Sequence, residues 1–220
     1  MRIPESLVNY RKDGCTVVCI ASGPSLTQEQ IDVVGKHKRT RDDLLVIGVN
    51  NNWEHRSEGA FVCDYMYAAD EAFWNVWLKR INEAGFDRPK FIPIKHEYAH
   101  RHRLIVLPCS HKEGLGSQES LHCGQNSGYQ AINLAYFLGA KKIALIGYDM
   151  KVGPNGKVHY FGDHEKGLRN TPSRYEFWIR HFGPLAKDLK ERGVDAVNCT
   201  LSTAIPYFRK GDLDEELSTP

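Results

Sequence analysis

The chain has 220 residues, 41% of them apolar and 25% charged, and a formal net charge of +2. Those totals exclude a disordered chain, and the charge is too balanced to argue for a nucleic-acid binder, the short basic clusters at Lys36–Arg41 and Arg101–Arg103 reading as solvated loops. The length is that of one ordinary α/β domain, and no stretch approaches the ~18 apolar residues that a membrane span needs.

Six cysteines occur, at 15, 19, 63, 109, 123 and 199, with no CxxC pair among them. Several lie inside apolar runs such as Thr16-Val17-Val18-Cys19-Ile20, where a free thiol behaves as a small buried hydrophobe. Residues 1–14 are polar and lack the apolar core of a secretory signal. Reduced thiols and no leader set the expectation of a cytoplasmic protein.

In chain order, Thr16–Ala21 is a continuous apolar run that ends at Ser22-Gly23-Pro24-Ser25. A run apolar on both faces predicts a strand buried in a parallel sheet. A helix is predicted over Leu26–His37, with Thr27 as its N-cap and Gln30 three residues on. Leu44–Val49 is a second buried strand stopping at Asn50-Asn51-Asn52, and Ala60–Tyr65 reads as a third, leading to Asp70. Glu71–Ala84 carries Phe73, Trp74, Trp77, Leu78 and Ile81 on one helical face. Lys90–Ile94 and Arg103–Leu107 read as short strands, followed by a polar loop over Pro108–Gln125.

Asn126 or Ser127 is placed to cap the next helix, and Gly139 sits where a helix-terminating glycine belongs. Lys142–Ile146 is another buried strand, ending at Gly147-Tyr148-Asp149. A polar loop over 148–172 follows, far longer than the ~4–6 residues of ordinary connections, and loops of that size are usually functional or disordered. Pro172–Arg192 is a long amphipathic helix, Val194–Cys199 a last strand, and the residues from Lys210 onward are acidic. Strands alternating with helices predict a mostly parallel, Rossmann-like sheet with helices on both faces, in a single α/β domain over residues 1–220.

In such a sheet, ligands bind beyond the carboxyl ends of the strands. There the sequence places Ser22, Gly23, Pro24 and Ser25, then Asn50 and Asn51, then Asp70, then Gly147 and Asp149. Taken singly, each is an ordinary turn. Taken together, at successive strand ends, they mark a polar ligand site. Gly23 permits close backbone approach to a phosphate, and Ser25 or the Asn126-Ser127-Gly128 helix start offers donors to an anion. His159 and His164 lie in the long loop, where an imidazole can act as a general base near neutral pH. Together with Asp163 they could instead hold a metal, but their spacing lacks a helical i, i+4 face, so no metal is expected. His96, His100, His102 and His111 read as surface residues.

These blocks, in this order, resemble the bacterial sialyltransferases of glycosyltransferase family 42 and a wider group containing motility accessory factors and archaeal-type pterin pyrophosphokinases. The resemblance rests on Val17–Leu26 with its Gly-Pro-Ser-Leu turn, Gly48-Val49-Asn50, Asn126 through Gly139, Lys142–Asp149 and His159–His164. Cys199–Phe208, containing Ser202, resembles the segment that closes the family's site. The resemblance implies a nucleotide-sugar-binding domain taking a cytidine-nucleotide (CMP-) sugar donor, with no metal or other cofactor. Ser22, Gly23, Asn50, Ser127 and Gly147 would line the donor pocket, and His164, with His159 in reserve, would take the acceptor's proton. Lys151 stands where the family has a tyrosine facing the leaving phosphate, and it or Tyr148 would stabilise that phosphate. Ser22 replaces the family's asparagine in the first turn, and Asp163 is an insertion.

The acceptor is left open among a glycan, a lipid-linked sugar, a protein and a modified base. Two rival readings accompany the transferase: a pterin pyrophosphokinase using ATP and magnesium, and a non-catalytic nucleotide-sugar binder. The aromatic-rich helices around Trp74 and Trp178 leave room for a homo-oligomer contact.

Overall fold

The computed structural model describes residues 5–93, 97–117, 120–165, 168 and 172–219. A 3₁₀ turn, Glu5–Tyr10, leads into β1 (Cys15–Ile20), α1 (Gln28–Lys38) and β2 (Leu44–Val49). A 3₁₀ turn over Asn50–Glu54 precedes β3 (Arg56–Ser57), β4 (Ala60–Phe61), β5 (Tyr65–Tyr67) and α2 (Glu71–Glu83). Then come β6 (Lys90–Ile92), α3 (Glu97–Arg101), β7 (Ile105–Val106), β8 (Cys109–Ser110), β9 (Leu121–His122), α4 (Ser127–Phe137) and β10 (Ala140–Ile146). The chain finishes with α5 (Tyr175–Glu191), β11 (Asp195–Asn198), β12 (Arg209–Lys210) and α6 (Leu213–Ser218).

Eight strands form one parallel sheet in the order β12-β11-β10-β1-β2-β5-β6-β7. The fold is the expected α/β, Rossmann-like architecture. The central strands are buried on both faces because successive side chains point to opposite sides. Val17 and Cys19 of β1 join a core with Tyr129 of α4 and Phe182 of α5. Val18 and Ile20 face the other way, into a core with Ile31 of α1, Trp74 of α2 and Leu217 of α6. Helices therefore cover both faces of the sheet.

Local signals operate as their chemistry requires. Thr27 caps α1, its hydroxyl accepting from the Gln30 amide at 3.3 Å, and Gly139 ends α4 in the left-handed region at φ +97°. All six cysteines are free thiols. Among the described residues no helix is long and apolar enough to cross a membrane.

Several expectations need correction. Ala60–Tyr65 is not one strand. Glu58 and Gly59 both adopt positive φ (50° and 81°), the backbone of a tight hairpin, so Ala60–Phe61 turns back antiparallel on Arg56–Ser57 and only Tyr65–Tyr67 enters the main sheet. The strand expected over Lys90–Ile94 ends at Ile92, and Ile94 and His96 lie outside the described residues. The loop Pro108–Gln125 contains the paired strands β8 and β9. The helix expected from Pro172 begins at Tyr175, after a 3₁₀ turn over Pro172–Arg174. Residues 166, 167 and 169–171 of the long loop also lie outside the described set. On α2, Phe73, Trp74 and Trp77 are buried in the chain's own core.

The acidic C-terminal segment is a structural edge. β12 extends the sheet beside β11, and Arg209 bridges Asp195 of β11 and Glu216 of α6. Lys142 donates to the Glu216 and Thr219 carbonyls at 3.0 and 3.2 Å. Leu217 is fully buried there, so Leu217→Ala is expected to lower the unfolding free energy by about 2–5 kcal/mol. Chemical denaturation of the two proteins measures this, and an unchanged midpoint would show the segment to be dispensable for the core.

Candidate functional site

On one side of β1 the sheet runs β2-β5-β6-β7, and on the other β10-β11-β12. Such a reversal opens a crevice at the carboxyl ends of the two strands that flank it. β1 and β10 finish in register, Ile20 beside Ile146. Their exits stay coupled: the Ala21 amide donates to the Ile146 carbonyl at 2.9 Å, and the Gly23 amide to the Gly147 carbonyl at 2.8 Å. A Cβ at Gly23 would collide with the Asp149 carboxylate and the Gly147 carbonyl, and one at Gly147 with the Ala21 carbonyl. Gly147 also holds φ +72°. The two turns approach this closely only because neither carries a side chain.

A cleft of about 630 Å³ opens at this point, within the range of small-molecule sites. Ser22, Gly23 and Pro24 line it from β1, Asn50 from β2, Asp70 from the end of β5, and Gly147 and Asp149 from β10. Asn126, Ser127 and Gly128, at the start of α4, line it too. The long loop adds His159 and His164. The tertiary structure thus gathers most of the sequence-selected residues into one place.

The exceptions are specific. Ser25 is not a lining residue; its amide donates to Asp149 Oδ1 at 2.9 Å and braces the crevice. Asn51 is buried off the cleft. Asn52 is the hub of that turn: its amide nitrogen donates to Ser22 Oγ at 2.8 Å and to the Val49 carbonyl at 2.6 Å. Its Oδ1 lies 3.0 Å from His55 Nε2. Burial lowers the His55 pKa to about 4, so that ring is neutral and acts as a donor to Asn52.

Tyr148 cannot face a leaving phosphate. Its ring is in the core and its hydroxyl donates to the Gly128 carbonyl at 3.0 Å. Lys151 does not line the cleft either, though its charge reaches Asp149. Ser202 is exposed and away from the cleft. Its neighbours instead support the Tyr148-Asp149 backbone, Thr203 Oγ1 donating to the Tyr148 carbonyl at 2.7 Å and the Ala204 amide to the Asp149 carbonyl at 2.8 Å. Asn126 caps α4, Oδ1 accepting from the Tyr129 amide at 3.1 Å, which leaves Ser127 and the first-turn amides to face a ligand.

The loop is tied down on the first turn. The Tyr160 amide donates to the Ser22 carbonyl at 3.1 Å, its hydroxyl to Glu54 at 3.3 Å, and its ring packs 5.0 Å from that of His55. His159 stacks on Phe161 with 5.1 Å between centroids, and His164 lies 4.4 Å from His159. Burial holds the His164 pKa below the ordinary histidine value, with the Asp163 charge opposing the shift. His164 is therefore neutral, and basic, at neutral pH.

Several lining residues escaped the sequence: His111, Cys123 and Gln125 before α4, Gln130 within it, Phe73 of α2, and Arg174, Tyr175 and Trp178 at the start of α5. His111, read as a surface residue, is exposed and also borders the cleft. Two signals visible only in three dimensions mark the same place. Buried polar atoms with no protein partner cluster there, namely Asn50 Oδ1, Asp149 Oδ2, His164 Nδ1 and Trp178 Nε1. Such groups normally find partners, and a polar ligand supplies them. Asn50, Gln125 and Met150 also hold left-handed backbones, at φ 55°, 52° and 49°, a strain that concentrates at binding sites.

Among the described residues no group of three or more His, Cys, Asp or Glu side chains is placed to hold a metal ion. Compared with known proteins, the chain matches no family model and no curated sequence.

Asp149 offers a test by pH. Burial raises its carboxyl pKa, against the Ser25 hydrogen bond and the Lys151 charge. A carboxyl with a raised folded pKa favours folding below the unfolded value near 3.9 and loses that contribution as pH rises through the folded one. Asp149→Asn, which keeps an acceptor for the Ser25 amide, is expected to melt higher than the parent at pH 7. The difference should vanish below about pH 4. Thermal melts from pH 3.5 to 8 check this, and equal melting points throughout would mean that burying the charge costs nothing.

Proposed function

We propose that the chain is a glycosyltransferase that binds a nucleotide-activated sugar, a CMP-sugar by its sequence resemblance, in the β1/β10 crevice. The observation that carries this reading is the convergence of the Gly23, Asn50 and Gly147 turns beneath the His159–His164 pair. Closely approaching backbone at Gly23 and the free amides of α4 suit a phosphate. A neutral imidazole overhanging the same space suits removal of a proton from an acceptor hydroxyl.

In the reaction, the acceptor oxygen forms a bond to the anomeric carbon as the bond from that carbon to the phosphate oxygen breaks. The acceptor's proton passes to His164, and the nucleotide leaves as its monophosphate. Donors fixed in place before the reaction stabilise the departing charge without reorganisation. No metal or other cofactor enters this scheme.

A second reading, an ATP- and magnesium-dependent pyrophosphokinase, is favoured by one feature. Asp70 and Asp149 line the same cleft, and carboxylates are what a magnesium nucleotide needs. Thermal shifts with CMP, and with ATP with and without magnesium, separate the two. Stabilisation by CMP alone supports the transferase, and stabilisation only by ATP with magnesium supports the kinase. Tight binding of a CMP-sugar without transfer or hydrolysis would identify a binding protein.

For the transferase, replacing both His159 and His164 by Ala is expected to lower turnover by roughly 10²- to 10⁴-fold while CMP binding persists. The parent's rate should fall with acid only below the ordinary histidine pKa of about 6.5, because burial lowers that of His164. Undiminished turnover in the double variant would remove the histidines from the chemistry.

A further inference from the structure

We propose that Arg174, a residue outside every sequence motif, is the specificity-determining cation of the cleft and recognises the phosphate of the bound nucleotide. The proposal rests on the reading of the cleft as a nucleotide site. Among the described residues, Arg174 is the one arginine or lysine that lines it.

Its surroundings differ from those of the arginines held in ion pairs. Arg11, Arg39, Arg41 and Arg209 each pair with a carboxylate. Arg174 donates to a neutral acceptor, Gln125 Oε1, at 2.7 Å. It also occupies the N-terminal boundary of the 17-residue helix α5, the end at which the helix dipole disfavours a cation. An arginine without a ligand gains nothing from the helix dipole at that position. An anion-binding one does, because the helix end and the guanidinium then attract the same ligand.

The guanidinium is held in place. It lies 5.2 Å from the Phe177 ring and 5.7 Å from the Trp178 ring, within the range of cation–π attraction. Gln125, its hydrogen-bond partner, takes a left-handed backbone (φ 52°) immediately before the Asn126 cap of α4. Arg174 is thereby tied to the helix start whose amides face the cleft. Trp178 Nε1, a buried donor with no protein partner, lies in the same lining. A guanidinium carries five N–H groups in a planar fork that matches two phosphate oxygens, and Gln125 accounts for one.

Charge balance points the same way. Asp70 and Asp149 both line the cleft and would repel a phosphate. The Lys151 charge acts on Asp149 from outside the cleft, which leaves Arg174 to meet the ligand.

Calorimetric titration of the full chain with CMP and with cytidine tests this. The parent should bind CMP about 10- to 100-fold more tightly than cytidine, the worth of a charge-assisted hydrogen bond or two. That advantage should shrink as salt rises, since the arginine is solvent-accessible. Arg174→Gln should bring CMP to the cytidine level with the cytidine affinity unchanged. Arg174→Lys should restore part of the ratio, and Arg180→Gln, on the same helix but off the cleft, should keep it whole.

A CMP-to-cytidine ratio that survives in Arg174→Gln overturns the inference. So does a ratio lost in Lys151→Met but kept in Arg174→Gln, and so does loss of cytidine binding in both Arg174 variants, which would make the arginine a scaffold for the cleft. If the parent binds cytidine and CMP equally, the site is nucleosidic and the inference fails alone. If it binds neither, the nucleotide reading itself fails.

Discussion

The site depends on the contact between two bare backbones at the carboxyl ends of β1 and β10. Gly23 donates its amide to the Gly147 carbonyl at 2.8 Å, and a side chain at either glycine would strike the other turn. A parallel pair of strands ordinarily separates as its chains leave for opposite faces. Here one more hydrogen bond carries the pairing past the sheet, and Asp149 locks it by accepting from the Ser25 amide. The two strand exits consequently meet the cleft with backbone and small side chains, at Ser22, Gly23, Pro24 and Gly147.

That arrangement has a cost, and it is concentrated where the ligand would lie. Asp149 is buried with one carboxylate oxygen unpartnered by protein, which disfavours its charged form. Asn50, Gln125 and Met150 hold backbones that non-glycine residues seldom adopt. The surrounding packing over-determines these conformations. Tyr148 is anchored to the Gly128 carbonyl beneath the crevice, and Asn52 ties the first two strand ends together. The rigid sheet thus supplies the restraint, while the strained turns supply the unsatisfied groups.

The histidine loop belongs to the same construction. It docks by its own backbone, Tyr160 to the Ser22 carbonyl, so the imidazoles are positioned by the turn they overhang. The stack of His159, Phe161 and His164 partly desolvates the ring that the proposed chemistry asks to be neutral. One set of contacts holds the loop down, brings both imidazoles to the cleft and disfavours the charged form of His164.

Much of this was legible in the residues. Apolar runs such as Thr16–Ala21 and Leu44–Val49 specified buried parallel strands, Thr27 and Gly139 marked helix ends, and the small and amide side chains after each strand indicated the cleft. Local chemistry determines these features, because backbone preference and period act over a few neighbours. The hairpin at Glu58-Gly59, the C-terminal segment folded into the sheet edge and the interior position of Tyr148 were not legible. Each depends on which distant surface a segment meets. Arg174, Trp178 and His111 come to the site from helices and loops separated by many residues, and no local pattern distinguishes them from surface side chains. By itself the sequence determined the strands, their burial and the polar character of their ends. The tertiary structure alone decided which side chains face the crevice, because the parallel order of the strands and the packing of α4 and α5 set those directions.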